Sequence, residues 1–211
     1  MDTERGFADR LAIRELIENW VIWRDSGDWE RFATLWHEDG QMSATWFQAS
    51  ASDFIARCRR AFEAGVQMLH SLGGSNIEVN GTRGISQTKM QIWQRAEVHG
   101  VAADVTCTGR FIDAWEKRGG HWALLQRQAA YDLDRLTPVD PSRTVNLDPV
   151  LLASFPIGYR HLAYLQTQQG MTVKSNLAGT RGPEIAALLE SRRRWLAGGL
   201  FEKSLDTSGS H

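Results

Sequence analysis

The sequence predicts an α+β fold: a cone-shaped, curved antiparallel sheet wrapped over N-terminal helices, followed by a C-terminal helical extension. Three observations carry this expectation. The first third of the chain places apolar residues at helical spacing, and the middle third alternates apolar and polar residues between glycine turns. After Pro138 the pattern returns to helices. Helices grouped before a run of strands argue for layers of helix on sheet rather than for alternating β–α units.

The elements follow in order. Over 7–24, Leu11, Ile13, Leu16, Ile17, Trp20 and Val21 recur as the buried stripe of a helix, ended by Ser26-Gly27. Asp28 is the N-cap expected for a short second helix through Leu35. Residues 37–49 read as one strand. Ser52 is the expected cap of a third helix carrying Phe54, Ile55, Cys58, Ala61 and Phe62, closed by Gly65. Alternation in Ser75-Asn76-Ile77-Glu78-Val79 marks a half-buried strand, turned by Asn80-Gly81. Three long strands then span 84–99, 101–117 and 121–134, with His99-Gly100 and Arg118-Gly119-Gly120 as hairpin turns. Thr137-Pro138-Val139-Asp140-Pro141 breaks the last strand. Helices are expected over 159–168 and 184–197, the second with Leu188, Leu189, Trp195 and Leu196 as a stripe that must cover the sheet or a second subunit. The organisation expected is a domain over 1–136, an extension over 137–203 and a disordered tail over 204–211.

Composition narrows the function. A net charge of −1 gives no electrostatic reason to expect nucleic acid or a membrane surface as partner. Two cysteines, Cys58 and Cys107, allow at most one bridge. No secretory signal and no membrane-length apolar run is visible, so a cytoplasmic location is expected. No residues show metal-ligand spacing, and neither a P-loop nor a G-x-G-x-x-G follows a strand, so neither metal nor cofactor is expected. Nine tryptophans are spread along the chain, enough to build a core and to wall a cavity for a flat, apolar or aromatic ligand.

Two residues point to chemistry. Asp25 stands at the end of the first helix, where the macrodipole disfavours a carboxylate. A residue that offends a local rule serves a site more readily than a scaffold. His70 follows the third helix in Met68-Leu69-His70-Ser71-Leu72-Gly73-Gly74. A carboxylate that fixes one tautomer of an imidazole and raises its basicity builds a general base. Arg127 and Tyr131, four apart on the last strand, share a face, and a buried arginine there needs an anionic partner. Arg110 and Asp113 fall on opposite faces of their strand, so one of them looks inward. Trp20, Trp23, Trp46 and Phe111 are the candidates for the pocket wall. His37, His99, His121 and His161 read as loop, turn or surface residues.

Four segments carry a resemblance: residues 24–31 (RDSGDWER), His70-Ser71-Leu72-Gly73-Gly74, residues 109–117 (GRFIDAWEK) and Gly120-His121-Trp122. In order and spacing they resemble the nuclear transport factor 2-like (cystatin-like, SnoaL-like) superfamily, closest to its scytalone dehydratase, bile acid dehydratase and hexachlorocyclohexane dehydrochlorinase branch. The resemblance covers about two-thirds of the chain. It implies a cone with a blind pocket, in which Asp25 orients His70 and His70 removes a substrate proton, with Arg127 lining the pocket. The sequence departs from these relatives at Trp20, at Trp23-Arg24 and near Arg95, so their substrates are not carried over. What the resemblance implies is a cofactor-independent lyase acting on an aromatic, polyketide-like or steroid-like small molecule, eliminating water or cleaving a C–C bond to release a small aldehyde. An isomerase or cyclase would use the same dyad. The superfamily also contains non-catalytic binding and assembly subunits, and a homo-oligomer (dimer or trimer) is expected in either case.

Overall fold

The computed structural model describes residues 2–201. The expected tail over 204–211 lies outside the described residues. Helix α1 (Asp2–Ser26) buries Ile13, Ile17, Trp20, Val21 and Arg24 along one stripe. Leu11, counted in the expected stripe, is exposed, because two residues rotate it about 200° away from Ile13. Gly27 ends α1 with φ +76°, and a Cβ there would approach the Phe62 ring to 2.9 Å. Only glycine meets both conditions at no steric cost. Asp28 caps α2 (Trp29–Thr34) by accepting from the Arg31 amide at 3.2 Å.

The single strand expected over 37–49 is two strands, β1 (Trp36–Ala44) and β2 (Phe47–Ser50), paired antiparallel with Ala44 opposite Phe47. The turn at Thr45-Trp46 lacks glycine, and what holds it is tertiary: the Trp46 and Phe47 rings pack on Phe54 at 5.8 and 5.6 Å. Helix α3 (Ala51–Glu63) therefore starts earlier than expected, and its cap is Ser50 rather than Ser52. The Ser50 hydroxyl accepts from the Asp53 amide at 3.1 Å.

The sheet runs in the order β2-β1-β6-β5-β4-β3, with β3 (Gln67–Asn80), β4 (Arg83–Val98), β5 (Val101–Arg118) and β6 (His121–Pro138) forming an antiparallel meander. β1 joins β6 in parallel. β3 begins well before Ser75, so His70 is a strand residue opposite Ile92. A register shift between Leu72 and Ser75, at Gly73-Gly74, puts His70, Leu72, Ser75, Ile77 and Val79 on one face.

After β6 come α4 (Pro149–Ala153), a 3-10 turn (Ile157–Tyr159), α5 (Arg160–Gln168) and α6 (Pro183–Leu196). α6 lies on the convex face: Trp195 packs with Ile85, Ala114 and Leu125, and Ile185 with Ile112 and Ala130. The apolar stripe of the last helix thus covers the sheet. α1, α3 and α5 fill the concave face, which explains why the middle of β6 is buried on both sides. Cys58 and Cys107 are free and buried. Among the described residues no helix is long and apolar enough to cross a membrane.

Candidate active site

The concave face converges on His70. Asp25 reaches it from the last turn of α1, because Gly27 lets the chain leave the helix there. The Asp25 carboxylate grips His70 at two points: the backbone amide donates to Oδ2 at 2.6 Å, and ring Nδ1 meets Oδ1 at 2.9 Å. A carboxylate accepts only, so Nδ1 carries the proton and Nε2 keeps its lone pair. Arg24 donates to Asp25 at 3.1 Å and to the Met68 carbonyl at 3.3 Å, tying α1 to β3 beside the pair. The His70 side chain is 5% exposed, and its ring stands edge-on to Trp20 at 5.4 Å.

Charge states follow from this packing. Burial holds the His70 imidazole below its ordinary pKa; the Asp25 hydrogen bond opposes this, while the Arg24 and Arg127 charges add to it. His70 is therefore neutral at neutral pH, the form a base requires. Burial pushes the Asp25 carboxyl up, but the bonds and charges of His70 and Arg24 outweigh it and leave Asp25 below its ordinary value. The Cys58 thiol, near Arg24, is pushed up to about 11 by burial and stays protonated.

Around His70 lies a narrow, partly enclosed cavity of about 30 Å³, room for about one water before its side chains move. Trp20, Trp46, Phe54 and Phe111 supply aromatic walls, and Tyr131 lines it from β6. Trp20 and Phe54 are stacked at 6.3 Å. Of the residues expected at the site, Asp25, His70, Trp20, Trp46, Phe111 and Tyr131 are brought together. The Tyr131 hydroxyl has Thr45 as polar partner, and burial drives its pKa well up, so it stays a phenol.

Arg127 and Trp23 differ from expectation. Trp23 is half-buried against the core and does not line the cavity; Arg24, one residue on, takes that place. Arg127 is fully buried behind the wall. Its Nε and Nη2 bind both oxygens of Asp113 at 2.9 and 2.8 Å, with Phe111 and Trp20 rings 4.2 and 4.7 Å from its guanidinium carbon. Asp113, not Arg110, is the residue that looks inward. Arg110 faces the other side and binds Gln87 and the Thr180 carbonyl. Asp113 also accepts from Ser86, which accepts from the Trp115 indole, so the buried charge pair is embedded in a hydrogen-bonded network.

His161, read as a surface residue, is instead engaged with Asp134 at 2.8 Å. Sequence reasoning also missed Thr45, Leu162 and Gln166 on the cavity wall. Gln166 left a faint signal, a polar residue on the apolar side of a helix that buries Leu162, Ala163 and Leu165.

Comparison with known proteins agrees with this architecture. Residues 5–128 match the family model of the SnoaL-like domain. Pea pathogenicity protein 2 of Fusarium vanettenii is 34% identical over 205 residues, covering 92% of this chain and 88% of that protein. A second protein of the same fungus, PEP2-like protein NECHADRAFT_97050, is 32% identical over 210 residues, covering 94% and 90%. Among solved structures, one assigned as a scytalone dehydratase from Novosphingobium aromaticivorans aligns with a TM-score of 0.55 at 18% identity, over 70% of this chain and 97% of that one. The hexachlorocyclohexane dehydrochlorinase LinA-type3 of Novosphingobium barchaimii aligns with a TM-score of 0.55 at 15% identity, over 71% and 100%.

Proposed function

This chain belongs to the SnoaL-like domain family, and from that premise we propose that it is a cofactor-independent lyase of the dehydratase type. The observation that carries the reading is the two-point grip of Asp25 on a neutral, buried His70 that faces a narrow, aromatic-walled cavity. Among the described residues nothing hydrogen-bonds His70 Nε2, so the free lone pair is available to a substrate C–H.

The aromatic walls suit the faces of a flat aromatic molecule, admitted as the side chains part, with a carbonyl next to the reacting carbon. His70 Nε2 takes the proton α to the carbonyl, and the C–H electron pair moves into an enolate. The enolate then expels a β-hydroxyl as hydroxide, which takes up a proton from the imidazolium and leaves as water. Arg127, paired to Asp113 but close enough to depress the His70 pKa, would favour the developing negative charge through space; Tyr131 would add a phenol dipole. A donor aimed directly at such an oxyanion contributes roughly 3 kcal/mol, and Arg127, set behind the wall, contributes less. The same base acting on the hydroxyl proton would cleave the C–C bond instead and release an aldehyde.

The aldol adduct of benzaldehyde and acetone tests both outcomes without added cofactor. Dehydration gives benzylideneacetone, whereas C–C cleavage gives benzaldehyde, and the two differ in near-ultraviolet absorbance. The expected result is enone formation by the wild type and its loss in His70→Ala. Equal turnover by the two proteins would refute His70 as the base.

A further inference from the structure

The extension adds a second polar group to the cavity that His70 faces. A bulge at Asp132, where the register shifts from Gly109–Tyr131 to Thr108–Leu133, turns Asp134 onto the concave face. Asp134 there accepts from the Leu162 amide at 2.8 Å and meets His161 Nδ1 at 2.8 Å, fixing the first turn of α5 over β6. Just beyond the other end of α5, Gln94 of β4 donates to Gln169 at 2.8 Å. α5 therefore crosses the concave face from β6 to β4. Leu162 and Gln166, four apart and hence on one helix face, line the cavity.

Gln166 is 1% exposed. Its Oε1 accepts from the Thr45 hydroxyl at 2.6 Å, and Thr45 is in turn the polar partner of the Tyr131 hydroxyl. The Gln166 amide nitrogen has no hydrogen-bond partner among the described residues. An amide donor left on a cavity wall without a protein acceptor loses hydrogen bonding unless the occupant of the cavity supplies it. An acceptor oxygen on a bound molecule removes that loss. Thr45 holds the amide in one orientation, with its nitrogen left for the ligand.

We propose that Gln166, oriented by Thr45, is a specificity-determining donor for a second oxygen on the substrate. This rests on the lyase reading and narrows it. The substrate class becomes aromatic carbonyl compounds that also carry a second oxygen, as a phenol or a carbonyl. α5 then selects the substrate, while α1 and β3 supply the base.

The test uses benzylideneacetone and its para-hydroxy analogue as unreactive ligands, with affinities read by titration calorimetry on the full chain. The wild type should prefer the hydroxylated ligand by about tenfold or more, the worth of one buried hydrogen bond. Gln166→Leu should bring the two affinities together by weakening only the hydroxylated ligand. Thr45→Val, which leaves α5 unchanged, should reduce the preference as well, and it serves if Gln166→Leu does not fold. Equal affinities in the wild type, binding of neither ligand, or a preference that survives both substitutions would overturn the assignment. His70→Ala should keep the preference, so retained turnover in that variant speaks against the base and not against Gln166.

Discussion

Asp25 holds both the backbone amide and the ring of His70 with one carboxylate, so the position of the strand and the tautomer of the imidazole depend on the same side chain. Removing it has two consequences that can be measured separately. Asp25→Asn should lower kcat on the benzaldehyde–acetone adduct by about 10²–10⁴-fold, the range for an impaired general base. An unchanged kcat in this variant would show that the pair is only a structural tie.

The pH dependence has a definite sign. The His70 pKa lies below 6.5 in the fold, so activity should fall on the acid side with an apparent pKa under 6.5. Asp25 raises the His70 pKa, and its replacement by Asn leaves Arg24 and Arg127 to push it further down. The acid limb of the slower variant should thus shift to lower pH. The linked stability is fully present above pH 6.5, where the free imidazole is neutral in either state, and is lost as pH falls through the folded pKa. Asp25 adds a second loss below pH 3.8. Urea titrations between about pH 7 and 4 should show declining stability, and a rise would contradict the buried neutral imidazole.

The Arg127–Asp113 pair should be more costly to break than to replace. Both side chains are 0% exposed, so Asp113→Ala leaves a buried cation and should cost about 3–5 kcal/mol in chemical denaturation. Arg127→Met with Asp113→Leu removes both charges and should recover most of that loss. Failure of the double variant to recover would mean that the network through Ser86 and Trp115, rather than the uncompensated charge, sets the cost.

Asp134 anchors the start of α5 through one backbone and one imidazole contact. Asp134→Ala should free the first turn and speed amide hydrogen exchange in α5, with smaller changes in the β3–β4 hairpin. Uniform acceleration throughout the sheet would place Asp134 in the global core instead.

How much of this was legible in the sequence depended on whether a residue's role is local. Asp25 stood out because a carboxylate at a helix C-terminus opposes the dipole, and the structure answers that conflict with His70 and Arg24. The meander was legible wherever alternation ran unbroken, as in Ser75 to Val79. It failed just upstream, because the Gly73-Gly74 bulge reverses which parity faces inward and leaves Leu69, 59% exposed, beside the inward His70. The Thr45-Trp46 turn was silent because aromatic packing on Phe54, not turn chemistry, holds it.

By itself, then, the chain's order of periodicities determined the longer helices, the three long strands of the meander and the α+β layering, since these follow from spacing along one segment. Which face of β5 receives Asp113, where Arg127 spends its charge, and the crossing of α5 that delivers Gln166 to the cavity were decided only in three dimensions. Each of those depends on a register shift or a partner from a distant segment, and a one-residue slip exchanges the two faces of a strand without changing its pattern.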